Sequence, residues 1–257
     1  MRNNKIKTYH FVNRDLYYQE AIDYDFLRPK FLQDAKFKRA NINKYIKEDG
    51  STKIPLITHQ IYFSDAVNPI SGVNLKHSII TTNRLNEVAE FRHYIWTNDL
   101  NLIPQELRDI KGVEVRLISE LASFRLFKEL KLLISQENIN KYNFAMASDI
   151  LRIMILREFG GIYHDLDYYI INSSLLLEYL KAFDFIAAEL HPEEYYFIGN
   201  AFIASIANHP VMQKATQLIQ RNLNNNSFQP DYIKYPYNMF SKILYYNWSC
   251  NDNDCLL

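Results

Sequence analysis

A chain of 257 residues with 48% hydrophobic side chains can build one or two cored domains and is too apolar for a disordered or fibrous protein. Its 29 basic and 29 acidic residues cancel, which argues against a dedicated nucleic-acid binder, and its six glycines form neither a GxGxxG cradle nor a P-loop. Cys250 and Cys255, both near the C-terminus, support no disulfide framework or cysteine-based zinc site. The polar start Met1-Arg2-Asn3-Asn4-Lys5 and the lack of a long charge-free apolar run predict a soluble, cytoplasmic protein.

Residues 1–50 read as an N-terminal helical accessory region, and 51–257 as the main domain. In the first stretch basic residues outnumber acidic ones, Tyr and Phe are frequent and periodicity is weak. Such a surface is either a solvated helical face or a peripheral contact with a membrane or partner. From Ile54 the pattern alternates between strand and helix. Strands are predicted over 54–63, 91–96 and 112–118, with a helix over 74–90. Helical periodicity runs over 119–135 and again over 142–159, where Gly160-Gly161 supplies a stop. A short strand at Ile162-Tyr163 leads into His164-Asp165-Leu166-Asp167. Strands near 183–188 and 197–204 and a helix opened by Pro210 complete the body. The order implies an α/β fold with a Rossmann-like, mostly parallel sheet flanked by helices, whose ligands bind beyond the carboxyl ends of the strands.

Three Asp-x-Asp triplets occur, at Asp23/Asp25, Asp165/Asp167 and Asp252/Asp254. Only the second closes an apolar strand. Two hard oxygen donors at a strand end suit Mn²⁺ or Mg²⁺, with water and phosphate oxygens filling the remaining positions. Asp149 and Arg152 interrupt the apolar run Phe144–Leu156 and share a helix face at i, i+3. They form either an internal salt bridge or a pair in which Asp149 holds a ligand hydroxyl and Arg152 neutralises growing negative charge.

The ordered string Ser148-Asp149-x-x-Arg152, Gly160-Gly161-x-Tyr163, Asp165-x-Asp167 resembles the central motif of Asp-x-Asp sugar transferases. These are the α-mannosyltransferase-like and capsular sugar transferases, and the glucosyltransferase domains of large clostridial toxins and related bacterial effectors. Ile54–Phe63 is similar to that family's first strand, and Tyr94–Asp99 to its next strand and turn. The resemblance implies a GT-A fold and a retaining hexosyl transfer from a nucleotide diphosphate sugar to a hydroxyl on an acceptor protein or glycan. A UDP-hexose is the favoured donor and GDP-mannose the alternative. Asp167 would bind the divalent metal, and Asp165 the donor's ribose or sugar and the metal. Asp149 and Arg152 would grip the sugar, with Arg152 stabilising the departing diphosphate. Ser148 joins the donor set, Tyr163 would bond near the diphosphate, and Tyr62 would stack on the nucleobase with Ile61 lending backbone contacts. Asn200 stands where the family places an amide near sugar and acceptor; a strand-end turn is the other reading.

His164 points away from Tyr163 and Asp165 by strand alternation, and His59 reads as a core or lip residue. Tyr237–Asn247 resembles the family's late helix. Ten residues follow it in this sequence. Either Trp248 and Ser249 are a shortened form of the family's closing tail, or the chain is truncated or the tail is missing; a short tail would leave the donor site open to water. A degenerate, non-catalytic relative that binds nucleotide sugar or a partner is the competing expectation. Within the transferase reading two biologies stay open: an effector delivered into a host cell to glycosylate a protein, and an envelope or capsular polysaccharide enzyme acting on a glycan.

Overall fold

The computed structural model describes residues 33–64, 68–123, 142–190, 197–224 and 255–256. Seven strands form one sheet: β1 (Ile57–Tyr62), β2 (Arg92–Thr97), β3 (Val113–Leu117), β4 (Gly161–His164), β5 (Phe185–Leu190), β6 (Phe197–Ser205) and β7 (Cys255–Leu256). Their spatial order is β3-β2-β1-β4-β6-β5-β7. Strands β1 to β4 pair in parallel, β6 runs antiparallel to both β4 and β5, and β7 lies parallel to β5. The sheet is therefore mixed and mostly parallel, as the alternating pattern predicts.

The described helices are α1 (33–40), α2 (Gly72–Val88), the single turn α3 (Gln105–Arg108), α4 (Tyr142–Phe159), α5 (Ser173–Ala182) and α6 (Pro210–Asn224). On one sheet face α4 and α6 bury Ile150, Leu151, Met154, Met212 and Ala215 against Ile61, Trp96, Tyr163 and Ile203. On the other, α5 and the end of α2 bury Leu176, Leu180 and Leu85 against Ile162, Ile186 and Phe202. A third cluster, Ile70, Ile95, Leu102, Ile103 and Leu107, fills the space beside α2 and α3. Covering on both faces explains why β1, β2 and β4 are buried along nearly their whole length.

Helix α5 is not predicted above, although Asn172 announces it: its side chain accepts from the Leu175 N–H at 2.9 Å and caps the first turn. The helix predicted over 119–135 enters as a 3-10 turn, Ile118–Ser123, and 124–135 lie outside the described residues. Of the N-terminal region, α1 and a 3-10 turn at Ile42–Lys44 are described. Ala35, Ile42 and Tyr45 pack into the α5 cluster.

Two glycines set the approach to the site. Gly160 takes φ +64° after α4 and returns its N–H to Leu156 O at 2.9 Å, closing the helix. Gly161, at φ +91°, starts β4 so close to the main chain of β1 that a Cβ there would collide with Ile57 O.

Candidate active site

Helix α4 and strand β4 converge on the β6 side of β1, and their side chains supply most of the site. Arg152 lies one turn from Ser148 and three residues from Asp149 on α4. Its Nη1 donates to Asn200 O at 2.7 Å. Its Nη2 meets Asp149 Oδ1 at 2.9 Å and Asp165 Oδ1 at 3.3 Å, and Ser148 Oγ at 3.5 Å. The guanidinium also lies 4.4 Å from the centre of the Tyr163 ring. An arginine fork can serve these directions at once; a lysine cannot.

The carboxylates are linked in turn. Tyr163 OH donates to Asp165 Oδ1 at 2.6 Å, and Asn200 Nδ2 donates to Asp149 Oδ1 at 2.9 Å. The pairing of β6 against β4 makes this possible, because it sets Asn200 beside the strand end; Asp165 N–H bonds Ala201 O at 2.9 Å. The six predicted residues Ser148, Asp149, Arg152, Tyr163, Asp165 and Asn200 thus form one connected cluster. Asn200 contributes its main-chain oxygen as well as its amide, a role carried by backbone register and invisible as a residue signal.

Burial decides the electrostatics. Side-chain exposure is 6% for Arg152, 15% for Asp149 and 33% for Asp165. Desolvation lifts the Asp149 carboxyl to about 6, with Arg152 and the Asn200 amide pulling it back and the Asp165 charge adding to the rise. Asp165 is also raised by burial, opposed by Arg152 and the Tyr163 hydroxyl, while the neighbouring Asp167 charge raises it further. Tyr163 is raised as well, chiefly by its full burial, so it acts as a hydrogen-bond donor rather than a base. Two carboxylates, Asp149 and Asp165, share the one guanidinium, so this cluster carries more acidic than basic groups.

Asp167 is exposed at the outer end of the turn, and among the described residues its carboxylate has no hydrogen-bond or ion-pair partner. Asp165 and Asp167 are close enough to repel, and a divalent cation would relieve that repulsion. No third His, Cys, Asp or Glu among the described residues joins them. Such a two-carboxylate edge fits an ion whose other ligands are water and diphosphate oxygens.

Ile61 and Tyr62 end β1 next to this cluster but on opposite sheet faces. Ile61 packs with Tyr163, whereas Tyr62 packs against the Ile70–Ile95–Leu102 cluster and donates its hydroxyl to Asn68 O at 2.9 Å. The structure does not bring the Tyr62 ring to Arg152. Beside it, Asn98 clasps the main chain of Ser64 twice: it accepts from Ser64 N–H at 3.2 Å and donates to Ser64 O at 2.8 Å. That clasp joins the ends of β1 and β2, and an asparagine just after an apolar strand was its only sequence signal. Trp248 and the segment 237–247 lie outside the described residues.

The two histidines set aside on sequence grounds are buried. His59 sits between Gly160 O, at 3.0 Å from Nε2, and the Trp96 indole N–H, which donates to Nδ1 at 3.3 Å. Its neutral ring pins the α4–β4 turn, and burial lowers its pKa to about 3. His164 turns to the α2 side, with Nδ1 3.4 Å from Gln60 Nε2, and burial brings it to about 4.

Comparison with known proteins adds the following. The family described as the TcdA/TcdB catalytic glycosyltransferase domain matches residues 22–191. The chain resembles the solved PaToxG glycosyltransferase with a TM-score of 0.58 at 19% identity, over 90% of this chain and 80% of that one. It also matches the ligand-free glycosyltransferase domain of the YGT toxin (TM-score 0.45, 12% identity, 78% and 69% covered). The catalytic domain of alpha-toxin from Clostridium novyi gives a TM-score of 0.41 at 14% identity, with 83% and 68% covered. None of the curated proteins matches.

Proposed function

We propose that this chain, which belongs to the TcdA/TcdB catalytic glycosyltransferase domain family, transfers a hexose from a UDP-sugar to an acceptor hydroxyl with divalent-metal dependence and retention. Glycosyltransferase activity and the GT-A-type fold come with the family and with the PaToxG likeness. Donor, metal and stereochemistry are the further step. What supports a diphosphate leaving group is Arg152, held by Asn200 O and shared between Asp149 and Asp165, and what supports the metal is the Asp165/Asp167 edge beside it. The UDP-sugar and retention rest on the resemblance to the family.

In the proposed reaction the bond from the anomeric carbon to the diphosphate oxygen breaks, and its electron pair leaves with the nucleoside diphosphate. The acceptor oxygen forms the new bond on the same face, and its proton passes to the departing diphosphate. Arg152 is already oriented when this charge develops, so little reorganisation is needed. Asp149 orients a sugar hydroxyl, held in place itself by Asn200. Tyr163 fixes the rotamer of Asp165. Asp165 and Asp167 would hold Mn²⁺ or Mg²⁺, which when bound supplies Lewis-acid stabilisation of the diphosphate. Ile61 and Tyr62 would carry the nucleobase, Ser148 would complete the donor contacts and Trp248 would close over them. Residues 1–50 would form an accessory region on a transferase domain spanning 51–257. The acceptor is a hydroxyl on a protein or glycan. No described helix is long and apolar enough to cross a membrane.

Asp167→Ala tests this reading. It should lower metal-stimulated UDP release by about a hundredfold or more, with an unchanged circular dichroism spectrum and melting temperature. Retained turnover would contradict the assignment.

A further inference from the structure

Helix α2 packs on the sheet with an unusual set of buried side chains. Ser78, Thr81 and Thr82 are hydroxyls, and Leu85 alone is aliphatic. A helix laid against a sheet ordinarily buries an aliphatic stripe. Buried hydroxyls need partners, and those of Ser78 and Thr81 lead to the Asp-x-Asp turn.

Thr81 Oγ1 donates to Tyr168 O at 3.4 Å and accepts from Ile170 N–H at 3.3 Å. One turn earlier, His77 Nδ1 lies 3.0 Å from Asp167 O, so that nitrogen carries the proton. One turn later, Arg84 Nη1 donates to Ile170 O at 3.0 Å. Positions 77, 81 and 84 share one helix face, and together they hold the main chain of Asp167, Tyr168 and Ile170. Tyr169 strengthens the contact: its ring lies 5.4 Å from that of His77 and 4.6 Å from the Arg84 guanidinium. Leu166, the middle residue of the triplet, packs against the same cluster as Leu75 and Ile79 of α2. Behind the turn, Ser78 Oγ accepts from Gln60 Nε2 at 3.0 Å, and Gln60 reaches His164.

The two carboxylates differ in how they are held. Asp165 follows β4 directly, and its N–H bonds Ala201 O of β6. Asp167 is beyond the sheet, in a turn closed by Tyr168 N–H to Asp165 O at 3.0 Å. Its distance and direction relative to Asp165 depend on what holds the chain after it. We propose that α2 is the positioning element of Asp167, with His77, Thr81 and Arg84 as positioning residues that set the geometry of the cation edge. This rests on the reading of Asp165 and Asp167 as a cation-binding pair. None of the three acts on substrate. They act through the main chain of the turn.

The test uses the full chain in three variants of the brace, with Asp167→Ala as reference. Thr81→Val removes the hydroxyl at nearly constant volume, Thr81→Ser restores it, and Arg84→Met changes a half-exposed residue without touching the core. Mn²⁺ is titrated in the presence of UDP and read by loss of the free-ion electron paramagnetic resonance signal. Amide hydrogen exchange is followed in the metal-free protein. Thr81→Val and Arg84→Met should weaken Mn²⁺ binding roughly 10- to 100-fold, the range for residues that orient metal ligands. Exchange should accelerate over residues 166–170 while β1 and β2 keep wild-type protection, and Thr81→Ser should regain most of the affinity. Wild-type Mn²⁺ affinity in Thr81→Val and Arg84→Met, with binding lost in Asp167→Ala, overturns the positioning role and leaves the metal reading standing. Absence of Mn²⁺ binding by the wild-type protein overturns both.

Discussion

Arg152 is the residue on which the cluster turns, because it neutralises Asp149 and Asp165 while spending a further N–H on a main-chain oxygen. Arg152→Lys keeps the charge and loses the fork; donor turnover should drop about a hundredfold, with a stability loss of about 1–3 kcal/mol. Arg152→Met leaves Asp149 without its cation, at a cost of about 3 kcal/mol or more near pH 8. The Asp149 carboxyl, already at about 6, would then bind a proton more readily, since Arg152 is what holds it down. Relative to wild type, the deficit should shrink between pH 8 and 5, as urea unfolding at the two pH values would show; a constant deficit would contradict the pairing. Most of this cluster was legible from spacing, since Asp149 and Arg152 share a helix face and Asp165 ends a strand. The choice between salt bridge and ligand pair was not, and the structure shows the bridge extended to Asp165 and Asn200. Tyr62 was legible as a strand-end aromatic, whereas its packing toward the α2 side depends on Asn68 and the Ile70 cluster, which spacing does not reveal.

Among the elements, the Gly160-Gly161 junction has the least freedom. Gly161 combines φ +91° with backbone contact to Ile57, and at Gly160 a Cβ would come within 2.6 Å of Ala207 N. Gly161→Ala should lower unfolding free energy by about 3 kcal/mol or more, measured by urea denaturation. A loss below about 1 kcal/mol would mean that β4 can retreat from β1. The helix stop here was readable from two consecutive glycines. The direction of β6 was not: Phe197–Ser205 is apolar whichever way it runs, and only the pairing with β4 reveals that it returns antiparallel. That reversal is what brings Asn200 to Arg152. Helix α2 carried a further unread signal, the run Ser78-Ile79-Ile80-Thr81-Thr82, whose hydroxyls gain meaning only once the turn after Asp167 is seen against them.

At the scale of the whole molecule, four histidines are buried among the described residues: His59, His93, His164 and His209. Burial is the first cause of a lowered pKa in each, to about 3 for the first two and about 4 for the others. Unfolding returns them to the ordinary range near 6.5, so the unfolded chain binds more protons below that pH. Stability is then fully present above pH 6.5 and is lost as pH falls toward 4, by up to about 1.4 kcal/mol per pH unit for each histidine. Asp149 and Asp165 act in the opposite sense, since their raised carboxyls take up protons in the folded state, but they are two groups against four. The melting temperature should therefore fall steeply between pH 6.5 and 4.5, with net proton uptake on unfolding. A flat profile over that interval would contradict neutral burial of these rings. The α/β order and the mostly parallel sheet were readable from strand and helix periodicity, because both faces of the central strands are covered. The mixed edge formed by β5, β6 and β7 arises from long-range pairing that local pattern does not encode.

The decisive experiment is release of UDP from UDP-glucose, UDP-galactose and UDP-N-acetylglucosamine, followed with Mn²⁺, with chelator, and in Asp167→Ala and Arg152→Lys. The expected result is turnover of one donor that requires the metal, disappears with Asp167→Ala and falls about a hundredfold with Arg152→Lys. Turnover that persists in chelator and survives Asp167→Ala would contradict the site described here.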